Sequence, residues 1–339
     1  MIEYDKSMES GDAAFIIPFW SDGKPHRVKY LNQTLESIFG QTDKNWKVYL
    51  IDDASPYEPD KAYLKELEEK DKRINVIFSK NNTGPGAARN KGIQAAYREQ
   101  CPFVCFLDSD DIAASNRAEE VRKVFLSDRD ASVVYSSFNV IDEDNMLVPE
   151  DKLLEGIRII ISDMKTRPLE GYDSWIDIAT ERDTLTIPSA LNAKTQLAVR
   201  YPFPEHVRFH EDTHTWLRYS AAGAKMVFLP QIPSKYRIPV KAAGSESRER
   251  AGGIEAFNRL RVETIMQGLD EAINIAQRRN AIDCSKGLEI KTRFCLNVAS
   301  IIKDEGTIGI AKELLEQARY ISKEYFDTFK DKYCLNGLI

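Results

Sequence analysis

An apolar run that ends in a cluster of aspartates constrains the fold of this chain more than any other segment. The run covers residues 103–107, and three aspartates follow it directly within residues 108–111, named the acidic turn below. A continuous apolar run of this length is typical of a strand buried on both faces in a parallel sheet. Ligands of such sheets bind just beyond the carboxyl ends of the strands. The sequence therefore predicts a ligand site at the acidic turn.

The chemistry of the acidic turn follows from its three carboxylates, Asp108, Asp110 and Asp111. Like charges this close raise one another's pKa unless positive charge joins them. Mg²⁺ or Mn²⁺ suits the site, because both ions prefer oxygen ligands. A solvated acidic turn is the alternative that the triplet alone leaves open.

Strand-like and helix-like segments alternate over the first half of the chain. The predicted strands are 13–18, 46–51, 74–78, the run that ends at Asp108 and 132–141, and the predicted helices are 27–39, 59–70, 87–97 and 115–126. This alternation predicts an α/β fold with a mostly parallel, Rossmann-like sheet that helices cover on both faces.

The second half of the chain is less regular. A charged stretch, 142–185, is followed by a predicted strand at 186–192, a helix at 211–222 and strands at 225–229 and 234–238. From residue 248 onward the pattern predicts a helical extension. Its apolar stripe favours packing in a core or a dimer over contact with a membrane.

Composition excludes some classes of function. The net charge of −6 argues against broad nucleic-acid binding, which normally needs a basic surplus. The N-terminal residues are polar and carry no signal-peptide pattern, and no segment reaches the length that spans a bilayer. The five cysteines are odd in number and lack zinc-pair spacing, which indicates reduced thiols. We therefore expect a cytoplasmic protein.

Chemistry-bearing residues follow three further strands at the same predicted edge. They are Pro18 and Trp20 after the first strand, Asp52 and Asp53 after the second, and Gly84 and Arg89 after the third. An aromatic ring and paired acids can hold a nucleobase and a ribose, and glycines allow the backbone to approach a ligand closely. A dinucleotide fingerprint is excluded, because Arg89 occupies the place of the third glycine. A simple strand-to-helix turn remains the alternative for the glycines.

Three histidines, His206, His210 and His214, lie near Glu211 and Asp212. Their spacing raises the alternative of a zinc site, but the His-Glu-x-x-His pattern is not met. We instead expect the two acids to open a helix, where the dipole favours ionised carboxylates. A partly enclosed carboxylate of this kind can serve as a general base.

Taken in order, these segments resemble family 2 glycosyltransferases of the GT-A fold. The motifs that carry the resemblance are Ile16-Ile17-Pro18-Phe19-Trp20, Ile51-Asp52-Asp53-Ala54-Ser55, the loop from Asn82 to Gly92, Phe106-Leu107-Asp108-Ser109-Asp110-Asp111 and His210-Glu211-Asp212. The resemblance covers roughly residues 13–247. It implies a GT-A domain at 1–247, with a nucleotide-sugar half at 13–141 and an acceptor half at 142–247. Residues 248–339 remain as the helical extension.

The resemblance also implies an activity. It is the inverting transfer of a sugar from a nucleotide-sugar, usually a UDP-sugar, with Mn²⁺ or Mg²⁺ as cofactor. Pro18, Asp52 and Arg89 would touch the uridine, and Asp108 would reach the ribose. Asp110 would bind the metal, with Asp111 nearby, and Asp212 would be the base. Further donor-binding residues would be Trp20, Asp53 and Gly84. The expected partners are a nucleotide-sugar donor and a glycan or glycolipid acceptor, with peripheral membrane association and a homodimer through the helical extension.

The chain departs from the family pattern after Tyr236-Arg237-Ile238, because Pro239 stands where the family often has a metal-binding histidine. Water would then complete the metal site, or Lys241 would help to neutralise the diphosphate. Two other readings stay open. One is a non-catalytic nucleotide-sugar-binding scaffold of the same fold. The other is a nucleotidyltransferase, although residues 20–25 lack the glycine-rich basic loop that such enzymes need.

Overall fold

The structure is a computed structural model that describes residues 2–238, 246–335 and 337–338. Nine strands lie within these residues: β1 (Ala13–Phe19), β2 (Trp46–Asp52), β3 (Ile74–Phe78), β4 (Phe103–Phe106), β5 (Ala131–Tyr135), β6 (Phe138–Ile141), β7 (Leu191–Lys194), β8 (Lys225–Phe228) and β9 (Ser234–Arg237).

The helices of the described residues cover more of the chain than the strands do. They are α1 (Ile2–Ser10), α2 (Pro25–Phe39), α3 (Glu58–Lys70), α4 (Pro85–Arg98), α5 (Arg117–Ser127), α6 (Glu155–Thr166), α7 (Trp175–Glu181), α8 (Thr195–Arg200), α9 (Glu211–Ala221), α10 (Glu246–Ala251), α11 (Ile254–Arg278), α12 (Cys284–Asp304), α13 (Ile308–Ile321) and α14 (Lys323–Phe329). None of those described is both long and apolar enough to cross a bilayer.

Seven strands form one mixed sheet in the order β3-β2-β1-β4-β7-β5-β8. The first four strands of this order run parallel, whereas β7 is antiparallel to both of its neighbours. The carboxyl ends of β1, β2, β3 and β4 therefore meet at one edge. A second, two-stranded sheet pairs β6 with β9 in parallel.

The strands form where apolar residues run without a break. Residues 13–17 of β1 and the whole of β4 are buried, as a strand covered on both faces requires. Helix α2 instead buries Leu31, Leu35 and Ile38, which lie on one face at helical spacing. The predicted α/β alternation and the mostly parallel sheet are confirmed.

Two predicted strands were wrong in their extent. Residues 132–141 form two strands in different sheets, because the chain leaves the large sheet at Ser136, whose N–H bonds the carbonyl of Ala190 at 2.9 Å. The strand predicted at 186–192 begins only at Leu191, because Pro188 opens a short 3₁₀ turn before it.

The chain divides into two compact units, each built from segments that are separate in sequence. The first contains the described residues up to 171, together with 186–208 and 224–238. The second contains 172–185, 209–223 and the helices from α10 onward. The functional boundary at residue 247 stays a prediction, but two internal segments group with the helical extension.

Within the second unit, α9 lies close to α11. A Cβ added at Gly268 of α11 would lie 2.7 Å from the Cα of His214 in α9. Only glycine fits there, because any side chain would clash with α9. Helix α9, in which Trp216 and Leu217 are fully buried, therefore packs against α11 of the helical extension at His214.

Candidate active site

The first unit brings the predicted donor-binding residues to the carboxyl edge of its parallel strands. Arg89, which is buried in the first turns of α4, forms an ion pair with Asp108 at 2.6 Å between Nη2 and Oδ1. The backbone N–H of Asp108 donates to the hydroxyl of Ser189 at 2.9 Å. The pair links the first turns of α4, which follows β3, to the acidic turn after β4.

Asp111 is the most deeply placed member of the acidic turn. Its side chain is fully buried, and its Oδ1 accepts a hydrogen bond from the backbone N–H of Arg237 at 2.8 Å. Its carbonyl accepts from the hydroxyl of Thr34 at 2.7 Å. Its other carboxylate oxygen, Oδ2, is buried and meets no hydrogen-bond donor among the described residues.

The crowding of carboxylates in the acidic turn is reflected in their pKa values. Burial, followed by the charge of Asp108, raises the pKa of Asp110 above its ordinary value. Burial, followed by the charges of Asp110 and Asp108, raises the pKa of Asp111 well above its ordinary value. Negative charge at this turn is therefore under-compensated by the protein itself.

Arg237 holds the acidic turn in place. Its guanidinium donates to the carbonyls of Asp110 and Asp142, both at 2.8 Å, and to Oε1 of Gln33 at 2.9 Å. It also lies over the ring of Tyr30, 4.2 Å from the centroid. The buried side chain thus fixes the backbone of the turn, while the N–H of Arg237 holds the Asp111 carboxylate.

The residues of the acidic turn fit a divalent cation in part. Over the described ranges, no three His, Cys, Asp or Glu side chains come together as metal ligands. Mg²⁺ is nevertheless commonly held by one or two carboxylates together with phosphate oxygens of a substrate. The buried Oδ2 of Asp111 and the adjacent Asp110 supply that smaller donor set.

Asp52 and Asp53 both anchor loops. Asp52 is fully buried and accepts hydrogen bonds from the hydroxyl and N–H of Ser55. Asp53 accepts from the N–H and hydroxyl of Thr83 and, at 2.7 Å, from the N–H of Gly84. These bonds shape the two loops at the site, while direct contact of either aspartate with a ligand stays a prediction.

Gly84 sits where a side chain would be strained. Its φ of 92° and ψ of 169° lie in a region that only glycine adopts readily, and Pro85 opens α4 directly after it. Pro18, in register with Ile51, and Trp20 are both half-buried near the end of β1. Their contact with a nucleobase also stays a prediction.

Asp212 belongs to the second unit, at the first turn of α9. His210 precedes the helix in a left-handed conformation, with φ of 59°. The N–H of Thr213 donates to Oδ1 of Asp212 at 2.7 Å, which orients the carboxylate. The predicted acidic helix start is confirmed, whereas the role of Asp212 as base stays a prediction.

The zinc alternative gains no support. Among the described residues no cluster of three metal-binding side chains is found. Burial lowers the pKa of His210 to about 3, and the charge of Arg261 adds to this shift. His210 is therefore neutral at physiological pH, and it packs against the ring of Phe257 at 4.9 Å between centroids. Pro239 and Lys241 lie outside the described residues.

Sequence reasoning missed the residues that support the acidic turn. Thr34, Ser189 and Arg237 reach it from 77, 81 and 126 residues away along the chain. Arg237 was noticed only as part of a motif, without a role. No local spacing marks such long-range contacts, so only the fold identifies them.

Comparisons with a family model and with known proteins all point to glycosyltransferases. Residues 15–177 match the model of the glycosyl transferase family 2. The uncharacterized glycosyltransferase MJ1057 of Methanocaldococcus jannaschii is 28% identical over 211 residues, which are 62% of this chain and 67% of that protein. A glycosyltransferase of Rickettsia felis is 30% identical over 62% of this chain, but over only 30% of its own length.

Another relative is named for a polysaccharide pathway. TuaG of Bacillus subtilis, whose name assigns it provisionally to teichuronic acid biosynthesis, is 23% identical over 62% of this chain and 74% of its own length.

Solved structures agree on the fold. Residues 1–349 of S. aureus TarS in complex with UDP superpose with a TM-score of 0.55 and 16% identity, over 95% of this chain and 90% of that chain. TarS with UDP-GlcNAc gives a TM-score of 0.54. GalNAc-T7 with UDP, GalNAc and Mn²⁺ gives 0.52 at 17% identity, over 74% of this chain and 47% of that chain. Residues 15–177 of this chain form a family 2 glycosyl transferase domain, and the chain has the GT-A fold.

Proposed function

We propose that this glycosyltransferase moves a sugar from a UDP-sugar to a hydroxyl of a glycan or glycolipid acceptor, with inversion at the anomeric carbon. One observation carries the proposal. The Arg89–Asp108 pair and the under-compensated acidic turn lie together at the carboxyl ends of parallel strands, where ligands of such sheets bind. The UDP and UDP-GlcNAc complexes of TarS, and the polysaccharide pathway in the name of TuaG, support the choice of donor and acceptor.

The proposed donor-binding residues contact different parts of the UDP-sugar. Pro18, Trp20 and Asp52 are proposed to frame the uracil, with Asp53 and Gly84 shaping the loop beside it. Arg89 and Asp108, already paired, are proposed to contact the uridine and the ribose. Pairing Arg89 with Asp108 before the donor arrives fixes both side chains, which lowers the entropy lost on binding.

Asp110 and Asp111 are proposed to hold Mn²⁺ or Mg²⁺ against the diphosphate of the donor. When bound, such a cation offsets the negative charge that develops on the leaving diphosphate. The chain itself contributes the rigid backbone of the acidic turn, which Arg237 and Thr34 fix from two sides. The complex of the structurally similar GalNAc-T7 with Mn²⁺ supports the choice of metal.

Asp212 is proposed as the general base. The acceptor hydroxyl transfers its proton to Asp212 as its oxygen bonds the anomeric carbon. The bond from that carbon to the diphosphate oxygen breaks on the opposite face, and UDP leaves with the electron pair. The α9 dipole favours the ionised carboxylate that this step needs.

The test is to incubate the purified protein with a panel of UDP-sugars, with and without Mn²⁺, and to measure the release of UDP. A parallel incubation with UTP and sugar 1-phosphates measures the release of pyrophosphate. We expect slow, Mn²⁺-dependent release of UDP, which a matching acceptor accelerates. Binding of UDP-sugars without release would support the scaffold alternative, and pyrophosphate release would support a nucleotidyltransferase. Either result would overturn the proposal.

A further inference from the structure

A chain of contacts links the helical extension to the proposed base. Arg261 lies in α11 and is 2% exposed. Its guanidinium forms an ion pair with the carboxylate of Asp183, and a second, at 3.3 Å, with Glu305 at the end of α12. Burial lowers the pKa of Arg261, but the two carboxylates outweigh it and raise the pKa overall. The guanidinium therefore stays charged and paired with the carboxylates of Asp183 and Glu305.

The next links run from Asp183 to Asp212. Thr184 follows Asp183 directly, and its hydroxyl accepts a hydrogen bond from the hydroxyl of Thr213 at 2.8 Å. The N–H of Thr213 donates to the carboxylate of Asp212 at 2.7 Å. Thr213 is 2% exposed, so its hydroxyl is held away from bulk water. The carboxylate orientation of Asp212 thus depends on a backbone group whose side chain is tied to the segment that Arg261 holds.

The same face of α11 reaches the other side of the proposed base. Phe257 lies one helical turn before Arg261, and residues four apart share a helix face. Its ring packs against His210, two residues before Asp212, at 4.9 Å between centroids. Burial keeps His210 neutral by lowering its pKa to about 3. Helix α11 therefore contacts the segment before Asp212 through Phe257 and the segment after it through Gly268, which lies against His214.

We propose that Arg261 is a positioning residue for glycosyl transfer, acting through Asp183, Thr184 and Thr213 to orient the carboxylate of Asp212. The proposal rests on the proposed function of Asp212 as the base. It assigns a part of the helical extension to catalysis, rather than to oligomerisation alone. Arg261 itself touches neither substrate nor the reacting atoms.

The experiment compares four variants with the wild type. Arg261→Met removes the guanidinium, Thr213→Val removes the hydroxyl, and Thr213→Ser keeps it. Arg259→Met is the matched control, because Arg259 lies on the same helix but is half exposed and pairs with Glu313. For each protein, kcat and donor KM are measured with a UDP-sugar, together with the stoichiometry of UDP binding.

We expect kcat to fall about 100-fold in Arg261→Met and about 10-fold in Thr213→Val, because small misplacements of catalytic groups are this costly. Donor KM and UDP stoichiometry should not change, which separates positioning from loss of folded protein. Thr213→Ser and Arg259→Met should retain wild-type kcat.

Two results would overturn the inference. A folded Arg261→Met with kcat within about twofold of the wild type would do so, and if that variant does not fold, an unchanged kcat in Thr213→Val decides in the same way. Failure of the wild type to release UDP from any UDP-sugar would instead reject the proposed function, and the role of Arg261 with it.

Discussion

The acidic turn and the start of α9 hold carboxylates in opposite ways. At the acidic turn, Asp111 is buried among like charges, which raise its pKa, and one of its oxygens meets no donor among the described residues. At the start of α9, Asp212 stands at a helix N-terminus and accepts an N–H bond from Thr213. The first arrangement disfavours the charged form of the carboxylate, whereas the second favours it.

This difference teaches how one residue type can perform two tasks. A carboxylate that awaits a cation is costly to keep ionised in the free protein, because burial and repulsion both act against the charge. A carboxylate meant to accept a proton must be ionised before the reaction, which a helix dipole favours. Substitutions that remove the charge but keep the shape should therefore act differently at the two places.

The largest effect is expected from Asp212→Asn. The amide cannot accept the acceptor's proton, so kcat should fall about 1,000-fold while donor KM stays unchanged. Steady-state kinetics with a UDP-sugar and acceptor measure both. Asp177→Asn, at an exposed aspartate of α7, is the control and should keep full activity. If Asp212→Asn retained most of the activity, Asp212 would not be the general base.

Asp110→Asn should lower activity about 100-fold at fixed Mn²⁺, because one of two proposed metal ligands loses its charge. Removal of the metal with a chelator should reduce the wild type to a similar rate. Rates measured across a Mn²⁺ titration would show the variant needing more metal. Asp151→Asn, at an exposed aspartate, should leave the titration unchanged. Equal Mn²⁺ dependence in Asp110→Asn and wild type would contradict the assignment.

Arg237→Met tests whether the acidic turn depends on its backbone support. The substitution leaves the carbonyls of Asp110 and Asp142 and the amide of Gln33 without their donor. The free energy of unfolding should fall by about 2 kcal/mol, measured by denaturant titration. Arg158→Met, at an exposed arginine of α6, should change it by less than about 0.5 kcal/mol. Equal losses in the two variants would show that the turn holds its shape unaided.

The smallest effect concerns pH, and it has opposite signs at the two places. The folded pKa of Asp110 is raised above its ordinary value of 3.8, so the stability that its protonated form provides is complete below that value and is lost as pH rises through the folded pKa. Without divalent cations, Asp110→Asn should therefore raise Tm at pH 7 by about 1 to 2 °C, with no gain near pH 4. Asp212→Asn should lower Tm at pH 7, because the helix dipole loses a favourable charge.

Thermal unfolding of both variants across this pH range, in the presence of a chelator, measures the contrast. A gain in Tm at pH 7 for both variants, or for neither, would mean that the two carboxylates share one kind of environment.

The sequence predicted the site edge well because local patterns encode it. Strands β1, β2 and β3 begin at the predicted residues and end within one residue of the prediction, and Asp52 and the acidic turn fall at their predicted strand ends. Apolar runs bounded by Gly, Pro and acids carry that information. The antiparallel placement of β7 was not predictable in this way, because pairing direction is decided by distant partners.

The contacts that support the acidic turn could not be predicted from the sequence either. Ser189 and Arg237 act on the acidic turn through hydrogen bonds to backbone, and such bonds impose no spacing on the sequence. Helix α7 was missed because it has only seven residues, too few to show a helical period within the charged stretch around it. The link from Arg261 to Asp183 likewise joins residues 78 apart.

The discontinuous make-up of the second unit limits how such an enzyme can be re-engineered. Residues 172–185 and 209–223 are buried by side chains that the gene encodes much later, such as Asn297, which donates to the carbonyls of Ala179 and Arg182. A graft that replaces either segment alone would pack the new segment against side chains that did not evolve with it. A graft of either segment would therefore have to include helices α11 and α12, which pack against them.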